Sequence, residues 1–116
     1  MTYKINGTTL TLQPTAGRWL PRRDLGLDGN NRTIYAPTYL FELAWDAMTP
    51  EEFDQLRDFW AAVSASGSVS AEIPQKDAAS WVFAVYTGVV PDEPEPGEYS
   101  FQYILRCRWR LRNIVV

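Results

Sequence analysis

The sequence predicts one small, mainly antiparallel β domain with a single helix, and three observations predict it. Short β-prone runs separated by turn residues recur along the 116 residues. One segment alone, 49–65, has helical periodicity between a helix-start and a helix-stop signal. The composition, 46% hydrophobic and 14% aromatic, is that of a chain that buries a core. A domain of this length buries roughly 65% of the surface its unfolded chain exposes, so a single core over 1–116 is expected.

The first element is a hairpin over 2–12, in which Asn6-Gly7 joins two β-prone runs with the residue pair that best tolerates the positive φ angles of a two-residue turn. From 14 to 31 Pro, Gly, Arg, Asp and Asn predominate without a sustained period, and the tract reads as a long loop that is either functional or ordered by a partner. A strand is expected over 33–46, with Tyr39, Phe41, Leu43 and Trp45 on one face and Glu42 and Asp46 on the other; Pro37 marks a sheet edge or bulge.

Thr49-Pro50-Glu51-Glu52 then carries an N-cap, a proline at the first helical position and a capping-box glutamate. Along the helix, Phe53, Leu56, Phe59, Trp60 and Val63 form an apolar stripe opposite Glu51, Asp54 and Asp58. The expected docking uses Phe53, Leu56, Trp60 and Val63 against the sheet face of Phe41, Leu43 and Trp45. Ser66-Gly67 ends the helix, strands follow over 68–73 and 80–90, and an acidic, proline-broken loop spans 92–98. The last strand, 99–113, alternates Tyr99, Phe101, Tyr103, Leu105, Cys107, Trp109 and Leu111 with Arg106, Arg108, Arg110 and Arg112. At about 3.3 Å per residue it would reach about 50 Å and outrun its own core.

The chain has no histidine, so zinc sites, Ser-His-Asp triads and Cys-His dyads cannot be built from it. Cys107 is the only cysteine, which excludes an intrachain disulfide, and no apolar run has the roughly 18 residues of a membrane helix. No hydrophobic stretch of signal-peptide length opens the sequence, so cytosolic synthesis, with export only inside a particle, is the expectation. A formal charge of −3 argues against generic polyanion binding. No catalytic residue, cofactor or metal is expected.

The remaining constellations each have an ordinary explanation. Glu51 with Glu52 and Asp54 with Asp58 are acid pairs on the wet side of a helix, where capping and dipole roles account for them. Asp24 to Asn31 offers oxygen ligands for calcium but lacks the alternating spacing and terminal glutamate of an EF-hand. Trp19, Trp81 and Tyr86 would stack on a sugar or a base, or simply pack in the core. Arg18, Arg22, Arg23 and Arg32 crowd the early loop, where an acidic neighbouring subunit or a phosphate would suit them. The final arginine row either pairs with acids on an adjacent strand, such as Glu42 or Asp46, or meets the acids of another subunit, among them Asp54, Asp58, Glu93 and Glu95.

Taken in order, the loop Leu25-Gly-Leu-Asp-Gly-Asn-Asn-Arg32, the strand Tyr39-Leu-Phe-Glu-Leu-Ala-Trp45, the capped helix Met48 to Trp60 and the closing aromatic strands resemble the minor tail and tail-tip proteins of long-tailed bacteriophages, including the ring domain of distal tail proteins. The resemblance covers residues 20 to 116 and rests on element order. It implies an antiparallel β-sandwich or split barrel of the tail-tube type with one flanking helix, assembled as a homo-oligomeric ring, usually a hexamer. That ring would join tail tube to hub in the virion tail after assembly in the host cytoplasm, with no membrane and no direct DNA binding. The early hairpin and short length depart from distal tail proteins, which commonly carry a second domain. The residues also leave open a carbohydrate- or nucleic-acid-binding β module in which Trp19 and the arginines contact ligand.

Overall fold

A computed structural model describes residues 2–22 and 24–116. Strands β1 (Lys4–Ile5) and β2 (Thr8–Thr9) form the expected N-terminal hairpin. Asn6 and Gly7 both take positive φ, 52° and 77°, as a mirror-image two-residue turn requires.

The tract expected to be a structureless loop is not one. It contains β3 (Ala16–Leu20), paired with the main sheet, and β4 (Asp24–Leu27), paired with β5 (Thr33–Tyr35) in a separate two-stranded hairpin. Arg23 lies outside the described residues. Pro14 and Pro21 punctuate the tract so closely that β3 shows no period in sequence, yet Trp19 anchors it. The Trp19 ring meets Phe41 and Tyr86 edge-on at 5.1 and 5.7 Å, and its Nε1 donates to the Pro74 carbonyl at 3.2 Å.

The strand expected over 33–46 is likewise two elements. The chain breaks around Pro37, and β6 (Tyr39–Met48) continues two residues past the predicted end. Its partner β10 (Ile104–Ile114) runs antiparallel, with Ile104 opposite Met48 and Leu111 opposite Phe41. The 99–113 strand is interrupted: Glu98–Tyr99 forms a short β9, 100–103 turns, and β10 then begins. Arg106 at φ 55° sits just after that restart. Tyr99, Phe101 and Tyr103 therefore leave the core, and Phe101 is 95% exposed.

Between these lie β7 (Val69–Pro74) and β8 (Phe83–Pro91), the latter starting beyond Trp81 and Val82, which the sequence placed inside the strand. The main sheet runs β2-β1-β7-β8-β10-β6-β3, with β9 beside β10, and every pairing is antiparallel. It is open, with β2 and β3 at its ends, and does not close into a barrel. It curls so that its two halves face each other: Tyr3 lies 6.3 Å from Phe41 and 5.1 Å from Phe83. Gly17 is needed there, because a Cβ would stand 2.8 Å from both the Phe41 ring and the Tyr3 hydroxyl.

The helix α1 (Pro50–Ser66) has the predicted capping box: the Thr49 hydroxyl accepts from the Glu52 N–H, and the Glu52 carboxylate accepts from the Thr49 N–H at 2.8 Å. Phe53 and Leu56 are buried, and Phe59 stacks over Trp109 at 6.4 Å. Trp60 does not dock as expected and stays 39% exposed. Successive helical residues point about 100° apart, so presenting Phe59 to Trp109 turns Trp60 outward. Gln55 adds a polar tether, accepting from the Thr11 N–H at 2.8 Å. The core beneath the helix holds Leu43, Trp45, Ile73, Val89, Trp109 and Leu111.

Candidate protein interaction surfaces

Alternation on β6 and β10 sends Glu42 and the arginines to the face away from the core. Register places Glu42 directly between Arg18 on β3 and Arg110 on β10. Its carboxylate accepts from Arg108 and Arg110 at 3.0 Å each and from Arg18 at 3.4 Å. Glu42 is 2% exposed although no apolar layer covers it, because the half-exposed guanidinium groups form its lid. Burial pushes its carboxyl up, but the hydrogen bonds from Arg110 and Arg108, with the charges of Arg108 and Arg18, more than reverse this and hold it below the usual glutamate range.

The rest of the row is paired within the chain as well. Arg106 meets Glu98 at 2.7 Å and Arg112 meets Asp92 at 2.6 Å. Backbone bonds between Glu95 and Arg108, 2.8 and 3.0 Å, lash the acidic loop along β10. The repulsion that called for another subunit's acids is thus met by this chain's own, in the adjacent-strand arrangement with Glu42. Asp54 pairs with Arg57 at 2.8 Å. Among the described residues Asp58, Glu93, Glu95 and Arg32 have no ion pair. Arg22 lies over two rings, 4.9 Å from Tyr35 and 5.0 Å from Tyr39, and clamps the base of the β4–β5 hairpin to the body.

That hairpin is the second surface. None of its residues is buried, and Leu25, Leu27, Ile34 and Tyr35 are 43–60% exposed. At its root lies an open groove of about 430 Å³ lined by Leu25, Ala36, Pro37, Thr38, Leu40, Arg112 and Asn113. The third surface is the aromatic tip of Tyr99, Phe101 and Tyr103, closed by the Ser100 N–H donating to the Tyr103 carbonyl at 2.8 Å. Sequence reasoning missed both surfaces. Leu25 and Leu27 are hidden in a Gly/Asp-rich tract, and the three aromatics keep the two-residue period of an inner face across a turn.

The other constellations have local explanations. Trp19 and Tyr86 pack on each other, leaving Trp81 exposed against Phe83 and no shared stacking platform. In the Asp24–Asn31 tract, Asp24 accepts from the Gly26 N–H, and Asp28 accepts from those of Asn30 and Arg32, so both carboxylates organise the hairpin. Among the described residues no three potential ligands come together as a metal group. Cys107 is buried, which pushes its thiol up despite a backbone hydrogen bond from Gly97. Comparison with protein-family models, with curated proteins and with solved structures finds no match to this chain.

Proposed function

We propose that this chain is a structural, non-enzymatic ring subunit of a bacteriophage tail tip, a tail-tube-type β fold that joins tail tube to hub in the virion. The observation that carries the reading is the β4–β5 hairpin. An isolated two-stranded hairpin is marginal in water, and this one holds four large apolar side chains out of the core. Such a patch fits a protein neighbour, which would complete the burial the chain itself leaves undone. The element order that resembles tail-tip proteins points to what kind of neighbour: further copies of the chain, then tube and hub proteins.

Charge supports the same reading. Five acid–arginine pairs on the β3–β6–β10 face occupy most of the basic row, so little of it is free for a nucleic-acid backbone. Of the charges the sequence nominated for subunit contacts, Arg22 and Arg32 among the cations and Asp58, Glu93 and Glu95 among the acids have no ion pair among the described residues. Native mass spectrometry and electron microscopy of the purified protein test the proposal. Closed rings, with six subunits as the leading number, are expected to form with concentration and without ligand; a monomer throughout the micromolar to millimolar range would overturn it.

A further inference from the structure

The two exposed apolar surfaces stand at opposite ends of one ladder. Ile104 pairs with Met48 at one end of β10 and Ile114 with Tyr39 at the other. The separation over these residues is about 33 Å at about 3.3 Å per residue. The aromatic tip adjoins Ile104, and the groove, which includes Leu40, Arg112 and Asn113, adjoins Ile114. One surface is convex and the other concave. A two-fold contact would need each to match itself, whereas a convex patch and a groove at opposite ends match one another head to tail.

Among the described residues outside ion pairs, the two ends also differ in charge, the tip end carrying acids alone and the groove end both signs. Asp46 and Glu51 flank the tip end, two residues before Met48 and two after Thr49, and neither has an ion pair among the described residues. At the groove end stand Arg22, held over Tyr35 and Tyr39, and Arg32 on the hairpin, beside Asp24 and Asp28, whose carboxylates accept the hairpin's own N–H groups. Aromatic side chains bury roughly 150–250 Å² each, so the three at the tip would bury at most on the order of 450–750 Å². That is a large part of the roughly 800 Å² each partner contributes to a stable interface, and Leu27 and Ile34 on the hairpin can supply more.

We propose that the partner at this groove is a second copy of the chain: Phe101 of one subunit seats between Leu25, Pro37 and Leu40 of the next, and repetition of this contact closes the ring. The inference rests on the ring reading above and adds which surface meets which.

Two variants test it with Phe101 intact. Gln102→Cys places a thiol on the tip and Ala36→Cys one at the groove, while the native Cys107 is buried. With a short bismaleimide, a covalent dimer is expected when the two variants are mixed and not with either alone. Adding Phe101→Asp to the tip variant should lower the yield at least tenfold without moving the melting temperature, since residue 101 is almost fully exposed. Cross-linking of Gln102→Cys with itself, or no mixed dimer, overturns the contact. Wild-type protein is followed in parallel by native mass spectrometry. Rings without the mixed cross-link sink this inference and leave the ring reading standing; the mixed cross-link with a wild type that never exceeds short chains sinks the ring reading and leaves the contact.

Discussion

The β6–β10 pair and the β4–β5 hairpin are both antiparallel and both carry large apolar side chains, yet they differ completely in burial. Phe41, Leu43 and Trp45 on β6, with Trp109 and Leu111 on β10, are sealed, because the helix and the β1–β7–β8 half of the sheet lie over them. Among the described residues no second layer lies over the hairpin, and its residues stay in solvent. Apolar content therefore does not by itself decide where a strand ends up. A covering layer does: the described residues supply one for β6–β10 and none for the hairpin.

The largest effect is expected where the layers meet. Trp109 is fully buried, stacks under Phe59 and donates from Nε1 to the Asp92 carbonyl at 2.7 Å. Trp109→Ala should cost about 3–5 kcal/mol, the range for large-to-small core changes. Trp60→Ala should cost clearly less, because its ring is partly solvated already. Urea unfolding of both variants checks the ranking, and equal losses would mean that the helix presents a different face.

A smaller loss should follow from Glu42→Gln, which leaves three guanidinium groups converging on a neutral amide. Because those groups are half-exposed and water can resolvate them, the loss should be about 1–3 kcal/mol, below the roughly 3–5 kcal/mol of breaking a fully buried pair. The pH dependence has a definite sign. The folded carboxyl titrates below its ordinary value of 4.5, so its contribution is complete above that value and fades as pH falls through the depressed one. Wild-type stability should therefore drop on acidification below about pH 4.5 more steeply than that of Glu42→Gln. Parallel acid limbs in thermal melts would show that the arginine lid does not hold the carboxylate ionised.

Next comes the helix start. Thr49→Ala removes the hydroxyl that accepts from the Glu52 N–H and should cost about 1 kcal/mol, as N-cap losses do. Chemical denaturation reads it, and no change would mean that packing of Phe53 and Leu56 fixes the first turn without the cap.

What was legible in the sequence follows from how local the encoding is. Asn6-Gly7 and Thr49-Pro-Glu-Glu specify their own backbone geometry, so the hairpin and the helix start were readable from a few neighbouring residues. β3 and the β4–β5 hairpin were not. β3 is held by Trp19 reaching Phe41, Tyr86 and the Pro74 carbonyl, contacts distant in sequence, and the exposed hairpin has no polar-outside alternation to betray it. The break at 100–103 was masked because period two continues through the turn. Glu42 was visible as one candidate partner of the arginine row, but only register shows it seated between Arg18 and Arg110.

The smallest effect on folding should coincide with the largest on assembly, and it tests the comparison between the two β pairs most directly. Leu25 and Leu27 touch no core, so replacing both with serine removes apolar surface that already faces water. Surface changes of this kind usually fall within about 0.5 kcal/mol of wild type. If the hairpin is apolar for the sake of a neighbour, the same double substitution should abolish higher oligomers in native mass spectrometry at concentrations where wild type forms them. The two readouts separate the explanations. Loss of stability would mean that the hairpin supports its own domain through contacts at its root, near Arg22 and Tyr39. Unchanged stability with unchanged assembly would mean that the exposed leucines serve no copy of this chain. Only unchanged stability with lost assembly gives the two β pairs the proposed division of labour: one built to hold the chain together, the other to hold chains to each other.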